Sequence, residues 1–371
     1  MVLFTSCITP FTFKGIEGDE GCLVIEGDII VHGDTKVYLS SLRPLGSNYD
    51  VSYIIQAAVW VESQQGDRYT GSLSIEANEP PCFLINTRTL SLEQQYKLCV
   101  LLLDGTLYES NLLTPLNTPE IDAIGFTIHE VKNAVDFHVT TYGGNNASPY
   151  YKWTYIDDWE VVSAYHTNIY FDSRTNVIRQ YTDDFPLLYC WNRSKSTAII
   201  TRTDHLRENT VFQQKLNTIP YRDDRISYLY SMEVHQMSNS MEAYTYWSVL
   251  HRNTDKIGSI FAPQPSELYG NIRCISHPKL KVFGYISAGT RSMKRIFATA
   301  QDIGIYYSPY RCYPLNFGQT TPPSFSDLYG WGYRPVGLSP NESIDWLPVE
   351  CVECTRRGTK NKPPFWPNNH L

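Results

Sequence analysis

Apolar and polar residues alternate in short runs along most of this chain, which is the two-residue period of strands half buried in a sheet. Between Ala134 and Thr141, Val135, Phe137 and Val139 fall on one face and Asp136, His138 and Thr140 on the other. From Ile226 to Val234, Ile226, Tyr228, Tyr230, Met232 and Val234 oppose a mostly polar face, and Tyr150 to Val162 carries Trp153, Tyr155 and Trp159. Nearer the N-terminus, Leu23 to Val31 and Thr35 to Leu45 predict strands turned at His32-Gly33-Asp34, and Ala57 to Glu62 a further strand before the polar turn Ser63 to Asp67. Tyr96 to Leu103 and Thr106 to Ser110 flank Asp104-Gly105, the pattern of a hairpin closed by a type I′ turn. The period changes once. Ala243, Tyr246, Trp247 and Leu250 recur at i, i+3, i+4 and i+7, predicting a helix packed on a sheet, capped by Asn239 with Glu242 three residues on.

These elements predict an all-β fold. Residues 22–118 form an N-terminal β-sandwich of immunoglobulin- or transthyretin-like kind, without a helix. Pro115 and Thr118-Pro119-Glu120-Ile121-Asp122 mark a boundary. Residues 119–310 form a larger β-sandwich with one or more short helices, and residues 311–371, rich in Pro, aromatics and Cys, an irregular C-terminal segment. Residues 1–21 are assigned to a signal remnant and tether.

Composition narrows the function classes. At 371 residues with 42% apolar content the chain can bury two cores, and its 13% aromatic share, with 27 Tyr, leans towards strands. A net charge of -7 argues against nucleic acid as partner. The one basic cluster, Arg356, Arg357, Lys360 and Lys362, reads as a solvated tail. No stretch approaches the roughly 18 apolar residues of a membrane span. Yet Met1-Val2-Leu3-Phe4-Thr5-Ser6-Cys7 resembles the end of a lipoprotein signal, with Cys7 as the lipidated residue and acidic Ile8 to Gly21 as a tether. Nine cysteines suit an oxidising compartment, although Cys99, inside an apolar run, reads as a packed thiol.

No motif here supports catalysis. His129-Glu130-Val131-Lys132-Asn133 begins like a zinc-protease helix but lacks the second His and reads as strand. Cys351-x-x-Cys354 has no second close pair for zinc, so a bridge within the C-terminal segment, drawing on Cys312, Cys351 and Cys354, is the reading preferred. Asp157-Asp158 and Asp223-Asp224 could supply paired carboxylates for glycoside hydrolysis, but adjacent Asp residues in β proteins are usually turn formers. No catalytic residue, metal or cofactor is predicted.

One set of short motifs runs in order along the chain: Leu23-Val24-Ile25-Glu26-Gly27-Asp28, Asp104-Gly105-x-x-Tyr108-x-Ser110, Tyr151-Lys152-Trp153-x-Tyr155, Gly258-Ser259-Ile260-Phe261, Gly270-Asn271-Ile272, Gly284-Tyr285, and Cys351-x-x-Cys354 with Lys362-Pro363-Pro364-Phe365-Trp366. In this order they resemble the domain of unknown function 4249 family of Bacteroidota, over nearly the whole chain. The resemblance implies an outer-membrane lipoprotein facing the cell exterior, anchored through Cys7. It also implies a non-catalytic binding subunit beside a TonB-dependent, SusC-like transporter barrel, capturing a nutrient such as a peptide or glycan. The alternatives are an accessory lipoprotein of an outer-membrane assembly or secretion complex and, from another class, a hydrolase with an unrecognised site.

Overall fold

The N-terminal alternation becomes nine strands: β1 (Leu23–Gly27), β2 (Ile29–Ile30), β3 (Gly33–Ser41), β4 (Ala57–Ser63), β5 (Arg68–Thr70), β6 (Ser72–Ser74), β7 (Cys82–Thr87), β8 (Tyr96–Leu102) and β9 (Leu107–Ser110). The computed structural model describes residues 22–41, 51–76, 79–142, 148–183, 186–196, 200–202, 211–255, 270–305, 312–315, 323–338 and 344–367. Cys7 and the tether, and the motif at Gly258, lie outside the described residues. Strands β1-β3-β7-β6 make one sheet and β9-β8-β4-β5 the other. Ile25, Val37, Leu39 and Ile85 of the first sheet meet Val59, Val61, Leu98 and Val100 of the second in one buried core. Each such side chain contributes about 1.5–3 kcal/mol by leaving water.

The β8–β9 hairpin forms where Asp104-Gly105 predicts it, but not with a type I′ turn. Gly105 alone in that loop has positive φ, 84°, and accepts the reversal after a right-handed turn; its N–H donates to the Leu102 carbonyl at 3.0 Å. This is the three-residue loop with a glycine bulge, whose twist also suits a hairpin. A Cβ added at Gly105 would meet nothing within 4 Å, so only the backbone resists substitution. Gly105→Ala is expected to cost about 1 kcal/mol, read as a lower denaturant midpoint at unchanged slope.

The second sandwich follows the linker. Strands β10 (Ala123–His129), β11 (Ala134–Tyr142) and β17 (Val211–Pro220) form a sheet in the order β10-β11-β17. Against it lies the order β15-β12-β18-β22, made of β12 (Tyr150–Val162), β15 (Tyr189–Lys195), β18 (Leu229–Asn239) and β22 (Arg291–Thr299), with β16 (Ile200–Arg202) also on β12. Strands β13 (Ile169–Asp172) and β14 (Val177–Gln180) make a separate hairpin. Val135, Phe137 and Val139 bury against Tyr151, Trp153, Tyr230, Met232 and Val234, as the alternation requires. Helix α1 (Met241–Asp255) buries Ala243 and Tyr246. Its cap is Ser240, whose Oγ accepts from the Ala243 N–H at 3.1 Å; Asn239, predicted for that role, is the last residue of β18.

The chain then returns to the first sandwich, within a range predicted to belong to the second. Strand β19 (Ile272–Cys274) extends the β9 edge, β20 (Val282–Phe283) runs parallel to β1, and β21 (Ala288–Gly289) parallel to β2. Asn271, buried, clasps this excursion: its Nδ2 donates to the Ile286 carbonyl at 2.7 Å and its Oδ1 accepts from the Ile286 N–H at 2.8 Å. Gly284, at φ 139°, passes so close to β1 that an added Cβ would sit 2.0 Å from the Ile25 carbonyl oxygen. The Gly270-Asn271 and Gly284 motifs therefore hold the chain crossing together.

The C-terminal segment, predicted to be irregular, contains short helices α3 (Phe325–Gly330) and α4 (Val349–Val352), and the hairpin β23 (Tyr333–Leu338) and β24 (Ile344–Pro348). Leu328 and Trp346 bury against Phe171 of β13, so this segment docks on the β13–β14 hairpin. A last helical turn, α2 (Ala300–Ile303), follows β22 under a capping box from Thr299 and Asp302.

Candidate functional site

The register across the large sheet of the second sandwich places one set of side chains on its outer face. Arg193, Asp158, Ser231 and Phe297 stand in one row, and Lys195, Ile156, Glu233 and Arg295 in the next. Asp158 is fully buried and accepts from Arg193 Nε at 2.6 Å and Arg295 Nη1 at 3.2 Å. Arg295 Nη2 reaches Glu233 at 2.5 Å, and His235 Nε2 lies 2.7 Å from the other Glu233 oxygen. The hydrogen bond from His235, with the Arg295 charge behind it, outweighs burial and pulls the Glu233 carboxyl down to about 2. A folded-state value below the ordinary 4.5 means that Glu233 stabilises the fold above about pH 4.5, and that this contribution drains away as pH falls towards 2. Glu233→Gln is expected to flatten the acid limb of a stability–pH curve over that window and to cost about 2 kcal/mol at neutral pH.

The chain's end crosses this face as a strap. Trp191 N–H and C=O both pair with Thr359 at 2.8 Å, bringing the tail onto the β15 edge. The tail then runs over the sheet to β22, where Trp366 buries with Trp191 and Leu229, Phe365 stands 3.5 Å from the Arg295 guanidinium, and Trp366 packs edge-on to Phe297. Two disulfides secure the segment: Cys312–Cys351 and Cys190–Cys354. Neither bridge joins Cys351 to Cys354, and the second reaches back to Cys190 on β15, a residue the sequence reading did not single out. Its only sequence signal is its place in Tyr189-Cys190-Trp191, an aromatic strand run. Cys99 is a buried thiol outside any bridge, with Cys82 and Cys274.

The basic cluster is not a solvated tail. Arg357 donates to the Val162 carbonyl at 3.2 Å and pairs with Asp224, Lys360 donates to the Tyr189 carbonyl at 2.7 Å, and Lys362 lies 5.9 Å from the Trp191 ring. Of the four, Arg356 and Lys360 remain exposed at the surface.

Between strap and sheet lies an open cleft of about 710 Å³. One wall is the β15 stretch from Trp191 to Lys195, another is Thr359 with Asn361 to Pro364, and the third is Glu79-Pro80 from the first sandwich. Glu79 accepts from Lys195 at 2.8 Å and lies 3.7 Å from Lys36. Burial alone would raise its carboxyl, but Lys195, Lys36 and Arg193 together hold it below the usual range. The cleft thus draws on three parts of the chain separated by more than a hundred residues each. Of its charged residues, Asp158 and Lys362 figured in the sequence reading only as a turn former and part of a solvated tail, and Glu79, Arg193 and Lys195 were not singled out. The one legible signal was the alternation of Trp191, Arg193 and Lys195 on one strand face.

The candidate carboxylate pairs divide. Asp157 and Asp158 are not turn residues: they lie mid-strand in β12 and point to opposite faces. Asp157 is buried in the second core, bonded by the Tyr230 hydroxyl and by Arg225 at 3.3 Å, and burial pushes its carboxyl up against both. Asp223 caps a helical turn by accepting from the Arg225 N–H, as the turn reading of Asp223-Asp224 requires. His129 ends β10 and meets Asp136 at 2.9 Å, outside any helix. Among the described residues, no cluster of His, Cys, Asp and Glu could hold a metal ion, and no helix is long and apolar enough to cross a membrane.

No curated protein matches this chain. Comparison with protein families matches residues 8–295, a stretch that takes in the first sandwich, the second as far as the middle of β22, and the β15 wall of the cleft, and stops before the strap. The chain belongs to the domain of unknown function 4249 family.

Proposed function

We propose that this protein is an exported, lipid-anchored binding subunit of the outer membrane, working beside a β-barrel transporter of the TonB-dependent kind in nutrient capture. The cleft carries this reading. It is open to solvent, presents cations beside an indole floor, and has a wall made by a tail that two disulfides hold in place. Disulfides persist in oxidising compartments, which supports export. Cys7 then supplies the anchor, since a multiply acylated cysteine holds to a membrane durably.

The test is purification of the tagged, full-length precursor from native outer membranes in mild detergent. A lasting partner interface buries about 2,000 Å² or more and should survive that treatment. The expected result is co-purification of a large β-barrel protein, with a palmitate analogue incorporated at Cys7 and lost in Cys7→Ser. A protein that runs alone in every mild detergent, and keeps its label in Cys7→Ser, overturns both parts of the proposal.

A further inference from the structure

We infer that the cleft binds an extended, acidic peptide by adding it as a strand to the free edge of β15. This rests on the cleft being the ligand site, and it assigns the class of ligand.

Backbone parity along β15 carries the inference. The Ser196 N–H donates to the Tyr155 carbonyl at 2.9 Å, so even-numbered residues of this segment direct their backbone groups towards β12. Trp191 gives both its backbone groups to Thr359, so odd-numbered residues direct theirs away. Arg193 and Lys195, two and four residues on, therefore present N–H and C=O to the side where, among the described residues, the sheet has no further strand. The Arg193 N–H is held by the Asn192 side chain at 2.8 Å. Among the described residues no strand pairs with the Arg193 carbonyl or with the two backbone groups of Lys195, at the exposed end of β15. They are not on a bare surface: the five residues from Trp191 to Lys195 all line the cleft.

An unpaired edge is a template for another strand, and proteins that do not use one usually cover it or bend it away. Here the edge has already accepted a partner at Trp191, where the tail pairs antiparallel, and the strap then leaves it uncovered. Pro363 and Pro364, in the strap wall, have no backbone N–H to donate, so at those two positions the wall does not compete for the ladder. Main-chain hydrogen bonds would supply affinity, and side chains every second residue specificity. Specificity follows from charge. Arg193 and Lys195 keep 44% and 40% of their side-chain surface in water, against 18% for Glu79, and Asp158 is fully buried between two guanidinium groups. With Lys362 on the strap, the reachable charge is cationic, so the strand it takes is acidic.

The experiment uses the full chain with its disulfides intact and a fluorescein-labelled hexapeptide of alternating Glu and Val as probe. Three comparison ligands accompany it: the same peptide N-methylated at alternate amides, its Lys-for-Glu counterpart, and a uronic-acid hexasaccharide. The acidic peptide is expected to bind, with at least tenfold loss on N-methylation and no measurable binding of the basic peptide. Lys195→Gln removes charge alone, whereas Lys195→Pro removes the same charge and the edge N–H, which a proline on an edge strand permits. Lys195→Pro is expected to bind the acidic peptide several-fold more weakly than Lys195→Gln, with salt dependence equal in the two. Equal binding of the methylated and unmethylated peptides overturns strand addition, whatever the folding of the proline variant. Binding of the hexasaccharide but of no peptide also overturns it, while leaving the cleft a ligand site. Failure of every probe, with barrel co-purification intact, overturns the inference and spares the transporter-subunit reading.

Discussion

Replacing Cys190 and Cys354 together with Ala is expected to lower the unfolding free energy by about 4 kcal/mol, the largest effect predicted for any local change in this protein. The bridge joins residues 164 apart in sequence, against 39 for Cys312–Cys351. Loop-closure entropy rises only with the logarithm of length, so the longer link is worth roughly 1 kcal/mol more than the shorter. The larger consequence is local. Cys354 lies five residues before the Thr359 pairing, and both cysteines are buried against Val161 beside Trp159. Without the link, the strap keeps the Thr359 pair and the Trp366 contact but loses the covalent point that fixes its start. Denaturant unfolding under non-reducing conditions measures the first effect, and limited proteolysis between residues 355 and 367 the second. An unchanged midpoint together with an uncut strap would rule out a stabilising role for the bridge. The paired substitution avoids leaving one reactive thiol, which would confuse both readings.

Asp158→Ala should cost about 3 kcal/mol, although it removes only one small side chain. Asp158 has no exposed surface and is the common acceptor of Arg193 and Arg295. Its loss strands two cations whose desolvation it had offset, and breaking a buried pair usually costs about 3–5 kcal/mol for that reason. Two observations place the effect at the low end. Arg193 is partly exposed and can turn to water, and Arg295 keeps Glu233. Asp158→Asn preserves volume and one hydrogen-bond acceptor and should cost less. A double-mutant cycle with Arg295→Met should return a coupling above about 1 kcal/mol, because the two residues share one network. A loss below about 1 kcal/mol for Asp158→Ala would mean that the charge row is merely a solvated sheet face.

The two sandwiches were readable because alternation reports directly which face of a strand is buried. Val135, Phe137 and Val139 point inward on β11, and Tyr230, Met232 and Val234 on β18, as the two-residue period states. The helical stripe at Ala243 and Tyr246 was readable for the same reason at its longer period. Turn chemistry was readable only in part. Asp104-Gly105 identified a hairpin, yet the choice between two turn types hung on one φ angle at Asp104, which either turn would accept.

The site was scarcely legible. Asp157 and Asp158 look like a turn because two adjacent carboxylates rarely enter a strand. They do so here because each meets its own cation: Arg225 on the inner face, Arg193 and Arg295 on the outer. Those arginines lie at least 35 residues away in sequence, and a carboxylate carries no local mark of the partner it will find.

What the sequence by itself determined is therefore the inventory: strand segments, their buried faces, one amphipathic helix, a linker, and a tail too poor in core residues to stand alone. Periodicity is a local property, and any apposed apolar surface satisfies it. Tertiary structure decided the partners. It carried residues 271–289 back to the first sandwich, where Gly284 alone could pass beside Ile25, and it joined Cys354 to Cys190 because their Cα atoms come within 5.5 Å. It also left Arg193 and Lys195 on an edge that no strand among the described residues fills, since the tail, after its isolated bridge at Thr359, turns away across the sheet. Pairing across a sheet is settled by what the whole chain can bring alongside, and for this protein that is where the cleft originates.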